Sequence, residues 1–203
     1  LVDILVPFYE KADDSDEILE FGKAESVAVN VLENFEQTES FIGSEALSRE
    51  QFNKIRSYAK NFLKQENLFN KRIQDGRIKD CHGDLYSANI CIDTKIYIYD
   101  CIEFNQRFRY CDVASDVAFL AMDLDFHDLS DLSSHFIKKF SESLLSFDIL
   151  ILTASYNISA SILSINLVSS IFEEKQSLFL RLNSSSNELT LFLIRQRKSF
   201  KIN

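Results

Sequence analysis

Four glycines and one proline are the only strong breakers of regular structure in 203 residues. A chain so poor in turning points builds long elements, and the apolar spacing makes most of them helices. Between Ala24 and Phe41, Val27, Val31, Leu32 and Phe35 recur at helical intervals. Ser48 followed by Gln51 reads as a capping box, in which each side chain accepts from the other residue's backbone N–H. It opens a second helix whose stripe of Phe52, Ile55, Ala59, Phe62 and Leu63 runs on to a stop at Gly76. Asp112–Leu124 sets Val113, Val117, Leu120 and Leu124 on one face. Ser130–Phe147 and the uncharged stretch Ile149–Phe172 read as further helices, and Asn183–Asn187 as a loop. The basic tail from Arg195 to Lys201 reads as a solvated helix end.

The period changes between Ile78 and Ile102. Ile90-Cys91-Ile92 and Ile96-Tyr97-Ile98-Tyr99 are short β-rich runs joined by Asp93-Thr94-Lys95, the pattern of a hairpin. The expected fold class is mainly α (α+β), a helical lobe over residues 1–203 with a small β-hairpin set into it. It divides into a helical segment 1–76, a loop, hairpin and helix over 77–125, and a helical remainder 126–203.

Charge and composition exclude several partners. A net charge of −9 opposes nucleic acid or an anionic membrane surface as the main partner. Ile149–Phe172 has the length of a membrane span, but Ser155, Asn157, Ser159, Ser161, Ser164, Asn166, Ser169 and Ser170 make it too polar, so it reads as a buried helix. Cys81, Cys91, Cys101 and Cys111 form no CxxC pair, and His82, His127 and His135 do not stand at zinc-ligand spacing from them. Leu1–Phe8 has neither the basic start nor the cleavage pattern of a secretory signal. The expectation is a cytoplasmic protein whose reduced cysteines serve as small hydrophobes. Because the chain begins on Leu1 rather than Met, it reads as part of something longer.

The chemistry is concentrated in His82-Gly83-Asp84-Leu85-Tyr86-Ser87-Ala88-Asn89 and in Asp100, which closes the β-rich run after it. Phosphoryl transfer asks a protein mainly to position groups and neutralise charge. One carboxylate must orient or accept the proton of an attacking hydroxyl, the role that suits Asp84. Oxygen ligands must hold magnesium against nucleotide phosphates, because that hard ion prefers oxygen donors. Asn89 and Asp100 suit this second role. Asn89 precedes the first strand of the hairpin and Asp100 follows the second, so the turn brings together residues eleven apart in sequence. His82 reads as a structural residue under the loop, since Asp84 is the better proton acceptor.

These residues resemble a known family. His82–Ile90 (HGDLYSANI) is similar to the HGDLHxxNI signature of aminoglycoside phosphotransferase-like kinases, a branch of the protein-kinase-like fold. The continuation from Asp100-Cys101-Ile102-Glu103-Phe104-Asn105 through Arg107, Arg109, Asp112 and Asp116 to Leu124 resembles a bacterial subgroup. Full-length members of that subgroup join such a domain to a C-terminal P-loop ATPase domain. The resemblance covers residues 77–125, is fainter over the preceding helices and is poor beyond Phe147. It implies the helical C-terminal lobe of a kinase-like enzyme, using ATP and Mg2+ to phosphorylate a hydroxyl of a small-molecule acceptor. By position it makes Asp84 the catalytic residue and Asn89 and Asp100 the metal and cofactor ligands. It gives supporting roles to His82, Glu103 and Asp116, the last bracing the loop from the following helix. Glu103 suits either a metal or substrate contact or a hydrogen bond within the turn, and Asp112 the cap of its helix.

Three departures limit what the resemblance carries. Tyr86 stands where the signature has a second His, and His82-Gly83-Asp84 lacks the Arg that protein kinases use to pair with a phosphorylated loop. Neither a glycine-rich phosphate loop with its strand Lys nor a GxxxxGK[ST] motif occurs, so the nucleotide lobe and the P-loop ATPase partner are expected elsewhere in a longer protein. An alternative is therefore a non-catalytic, kinase-like regulatory or interaction module of such a protein. A third reading, a hydrolase with Asp84 and Glu103 as paired carboxylates, requires both to face one pocket.

Overall fold

The computed structural model describes residues 1–43 and 48–143. Within them the protein is mainly helical, with two small antiparallel strand pairs. The helices are α1 (Val2–Lys11), α2 (Asp16–Leu19), α3 (Ala24–Thr38), α4 (Arg49–Leu63), α5 (Glu66–Gln74), α6 (Gln106–Arg109), α7 (Val113–Phe126) and α8 (Ser130–Ser143). The strands are β1 (Ile78–Asp80), β2 (Ile90–Ile92), β3 (Ile96–Ile98) and β4 (Tyr110–Asp112).

The main core is built on α7. Val113, Ala114, Val117, Ala118, Leu120, Ala121 and Leu124 are all buried, joined by Leu5 and Tyr9 of α1, Leu85 of the loop, and Phe136 and Phe140 of α8. The sequence pattern implies one apolar face for α7, yet the helix is buried nearly all round. Its alanines make this possible, because they have little side chain to keep α1 and α8 apart. A second cluster joins Val31 and Phe35 of α3 to Phe52 and Ala59 of α4, with the Phe35 and Phe52 rings meeting edge to face at 5.5 Å.

The capping box at Ser48 and Gln51 forms as a reciprocal pair and starts α4. The helix does not run to Gly76 in one piece. It ends at Leu63 and resumes at Glu66, where Gln65 leaves helical geometry with ψ +56°. The bend lets Phe62 pack edge to face on Phe69 at 5.5 Å, a tertiary preference that no glycine or proline announces. Gly76 stops the second piece at φ +63°, and the Arg77 N–H donates to the Arg72 carbonyl over it, the closing bond of a Schellman turn.

Helix α1 and strand β4 go beyond what local sequence signals mark. Helix α1 contains Pro7, whose missing N–H would normally argue against a helix interior, yet Leu5 and Tyr9 are buried on either side of it. Strand β4 occupies three residues just before α7 and pairs with β1, Ile78 opposite Asp112 and Asp80 opposite Tyr110. The hairpin lies at β2–β3, with Ile90 opposite Ile98 and Ile92 opposite Ile96.

The cysteine expectation requires correction. All four are free, and Cys81 is buried as a small hydrophobe should be, but Cys91 and Cys101 are exposed. Cys91 lies on a ribbon only two strands wide, and Cys101 stands three residues beyond its second strand. Among the described residues no helix is long and apolar enough to cross a membrane. The expectations for Ile149–Phe172, Asn183–Asn187 and the basic tail, and the end of the helix drawn to Phe147, lie outside the described residues.

Candidate functional site

The chain leaves β1 at Asp80, buries Cys81 and turns sharply through His82 and Gly83. Gly83 has φ +81°, and a Cβ there would stand 2.8 Å from the Phe108 carbonyl oxygen and 3.1 Å from Arg109 Cα. Both the left-handed backbone and the close approach of the end of α6 demand glycine. Leu85, fully buried, anchors the loop on its far side.

Two carboxylates of α7 hold the loop from below. Asp116 is buried and takes three hydrogen bonds: Tyr9 Oη donates to Oδ2 at 3.0 Å, the His82 N–H to Oδ2 at 2.8 Å, and the Gly83 N–H to Oδ1 at 2.9 Å. Burial pushes its pKa up, against the pull of those donors. Asp123, seven residues on and therefore on the same side of the helix, accepts the Ser87 N–H at 2.7 Å. Sequence reasoning missed Asp123, although its two-turn spacing from Asp116 was a usable signal. It also missed Arg72, a buried residue of α5 whose Nε and Nη2 bond both oxygens of Asp112 at 2.7 and 2.6 Å. Asp112 caps α7 as well, accepting the Ala114 N–H at 2.8 Å.

His82 is buried with both ring nitrogens in use. Nδ1 accepts the Asp84 N–H at 3.3 Å, and Nε2 donates to the Tyr99 carbonyl at 2.9 Å. The imidazole thus ties the loop to the end of the hairpin and has no free nitrogen for proton transfer. Two backbone bonds complete the tie, Tyr99 N–H to the Asn89 carbonyl at 3.1 Å and Ile102 N–H to the His82 carbonyl at 3.0 Å.

On this frame Asp84, Asn89 and Asp100 are brought together. Asn89 is buried, and its Nδ2 donates to the Asp84 carbonyl at 3.1 Å and reaches Asp84 Oδ2 at 3.5 Å. Its amide oxygen takes no hydrogen bond among the described residues. Asp84 is half-buried and its pKa is raised, first by loss of solvent and then by the Asp100 carboxylate, while His82 and the Asn89 amide pull it down. Asp100 is exposed and held at φ +62°, a left-handed conformation that Asp tolerates but that stores strain. The Tyr86 hydroxyl sits in the field of Asp84 and Asp100, and its pKa is raised by partial burial and then by these charges. Glu103 is exposed and makes no hydrogen bond or ion pair among the described residues, so the structure does not draw it into the loop.

Three oxygen-bearing side chains, two of them carboxylates that repel one another, suit a hard divalent cation that keeps water and phosphate oxygens in its remaining positions. Among the described residues no group of three or more His, Cys, Asp or Glu is placed to hold a metal ion by itself. On its other side Asp84 opens onto a cavity of about 480 Å³ between α3, α5 and α7. Ile102 and Phe104 line that cavity and Glu103 between them does not, so the paired-carboxylate arrangement lacks its second member there.

Among curated proteins the chain is similar to two uncharacterized proteins of Mycobacterium tuberculosis and one of Mycobacterium bovis, each 32% identical over 139 residues. That stretch is 68% of this chain and 28% of each relative, so the chain spans less than a third of the curated relatives it matches. Neither a family model nor a solved structure matches it.

Proposed function

We propose that this chain carries the acceptor side of a kinase-like phosphotransfer site, resembling the C-terminal lobe of the aminoglycoside phosphotransferase-like enzymes. The observation that carries the proposal is the grouping of Asp84, Asn89 and Asp100 on one braced loop and hairpin, with Asp84 also facing a cavity large enough for a small molecule. Asp84 orients the acceptor hydroxyl and takes its proton, and partial burial, by raising its pKa, makes it a better proton acceptor than an exposed carboxylate. Asn89 and Asp100 would hold magnesium, which when bound neutralises charge on nucleotide phosphates. Asp116, Asp123 and His82 keep the loop in the geometry on which such positioning depends.

The reading requires a phosphate-clamping segment, and the scattered glycines of this chain do not provide a glycine-rich loop. That segment would belong to the longer protein. Calorimetric titration of the full-length protein with ATP and magnesium is the test. Binding that Asp100→Ala abolishes supports the phosphotransfer site, whereas no magnesium-dependent nucleotide binding favours a non-catalytic regulatory module.

A further inference from the structure

The cavity beside Asp84 has a composition that selects among acceptors. Six phenylalanines, Phe21, Phe62, Phe69, Phe104, Phe108 and Phe119, line its wall, from elements as far apart in sequence as the turn after α2 and helix α7. Three carboxylates touch it, and two are already committed. Both Asp112 oxygens are bound by Arg72, and the buried Asp116 is occupied by Tyr9, His82 and Gly83. Of the three carboxylates only Asp84 remains for a ligand, and the Asn30 Oδ1 in the same wall is the one further buried side-chain acceptor without a partner among the described residues. The Arg107 side chain in the same wall is likewise committed, paired with Glu33 at 2.5 Å.

A polycationic amino sugar needs several free carboxylates or carbonyls to replace the water it sheds, because an unpaired buried charge costs more than apolar contact returns. This cavity offers one free carboxylate, one unpaired amide oxygen and six phenyl rings. We infer that the acceptor is an alcohol with an aromatic or otherwise apolar body, seated among these rings with its hydroxyl turned to Asp84. The inference rests on the phosphotransfer reading for the word acceptor, but the shape and chemistry of the cavity stand without it. The volume, about 480 Å³, falls in the usual range for a pocket that encloses a drug-sized molecule.

The test uses 2-(2-naphthyl)ethanol as probe, with kanamycin as the polycationic competitor. The chain has no Trp, so naphthyl fluorescence anisotropy can be followed with only tyrosine as background. Saturable binding to the full chain, without nucleotide or metal, is expected in the roughly millimolar range that a ligand of this size can reach. Ser115→Phe, which fills the cavity from α7, should weaken it by at least about tenfold, in line with the loss of an apolar contact set. Phe104→Ala guards against a folding failure, since Phe104 is 82% exposed yet lines the cavity, and should weaken binding about threefold or more. Displacement of the probe by kanamycin, or binding indifferent to both substitutions, overturns the inference and leaves the phosphotransfer reading untouched. Probe binding that responds to both substitutions, in a protein that fails to bind ATP and magnesium, retains an apolar-ligand site and removes the phosphotransfer reading.

Discussion

Replacing Asp116 by Asn should destabilise the protein by about 2–3 kcal/mol, although the side chains are nearly the same size. The native carboxylate accepts three hydrogen bonds, from the buried Tyr9 and His82 and the half-buried Gly83. An amide can turn its oxygen toward the Tyr9 hydroxyl and the His82 N–H, but its NH2 then faces the Gly83 N–H, donor against donor. Two buried groups lose their partners, at about 1–3 kcal/mol each, and two charge-assisted bonds become neutral ones. Relief of the buried charge offsets part of this, as the raised pKa of Asp116 indicates. Asp116→Ala, which strands all three donors, should cost about 4 kcal/mol, a large share of a typical domain's 5–15 kcal/mol. Tyr9→Phe removes a donor together with its need for an acceptor and should cost about 1 kcal/mol. Urea unfolding followed by circular dichroism measures all three. If Asp116→Asn stays within about 0.5 kcal/mol of the parent, or Tyr9→Phe costs as much as Asp116→Ala, the three-donor account is wrong.

Gly83→Ala must place a Cβ 2.8 Å from the Phe108 carbonyl at φ +81°, so it should lose about 2–3 kcal/mol in the same unfolding assay and blunt any nucleotide-dependent activity. The pKa of Asp84 is raised from 3.8, so the folded state holds its proton more tightly than the unfolded chain. The Asp84 contribution to stability is therefore fullest below pH 3.8 and declines as pH rises through the raised folded value, a decline that Asp84→Asn should abolish in thermal melts taken across that range. Asp100→Gly relieves a left-handed Asp and should leave stability unchanged or raise it by up to about 1 kcal/mol; if the proposed magnesium site exists, added magnesium should raise the melting temperature of the parent and not of this variant.

What the sequence made legible was local. The capping box at Ser48, the hairpin around Asp93-Thr94-Lys95, the stop at Gly76 and the cap at Asp112 all depend on residues within a few positions of each other, and each forms. The break between α4 and α5 was hidden because it is decided by where Phe62 and Phe69 meet, and β4 because its partner β1 lies thirty residues away. The same divide runs through the site. Asp84, Asn89 and Asp100 could be grouped because one short hairpin connects them. Arg72 could not be assigned, because its tie to Asp112 spans forty residues and nothing near Arg72 in sequence announces it. Glu103 illustrates the opposite error, a residue beside the motif in sequence whose side chain points away into solvent.

The hydroxyl of Tyr9 reaches Asp116 from a helix that ends before the first strand begins. Anyone trimming this protein to a minimal unit would be tempted to start after Lys11, since the recognisable motif lies seventy residues downstream. Such a shortened form would keep every residue of the candidate site and lose the peg that fixes its floor. Its failure to bind or react would then say nothing about Asp84, Asn89 or Asp100. The working boundary of the site is set at α1, and fragments should be judged by whether they retain it.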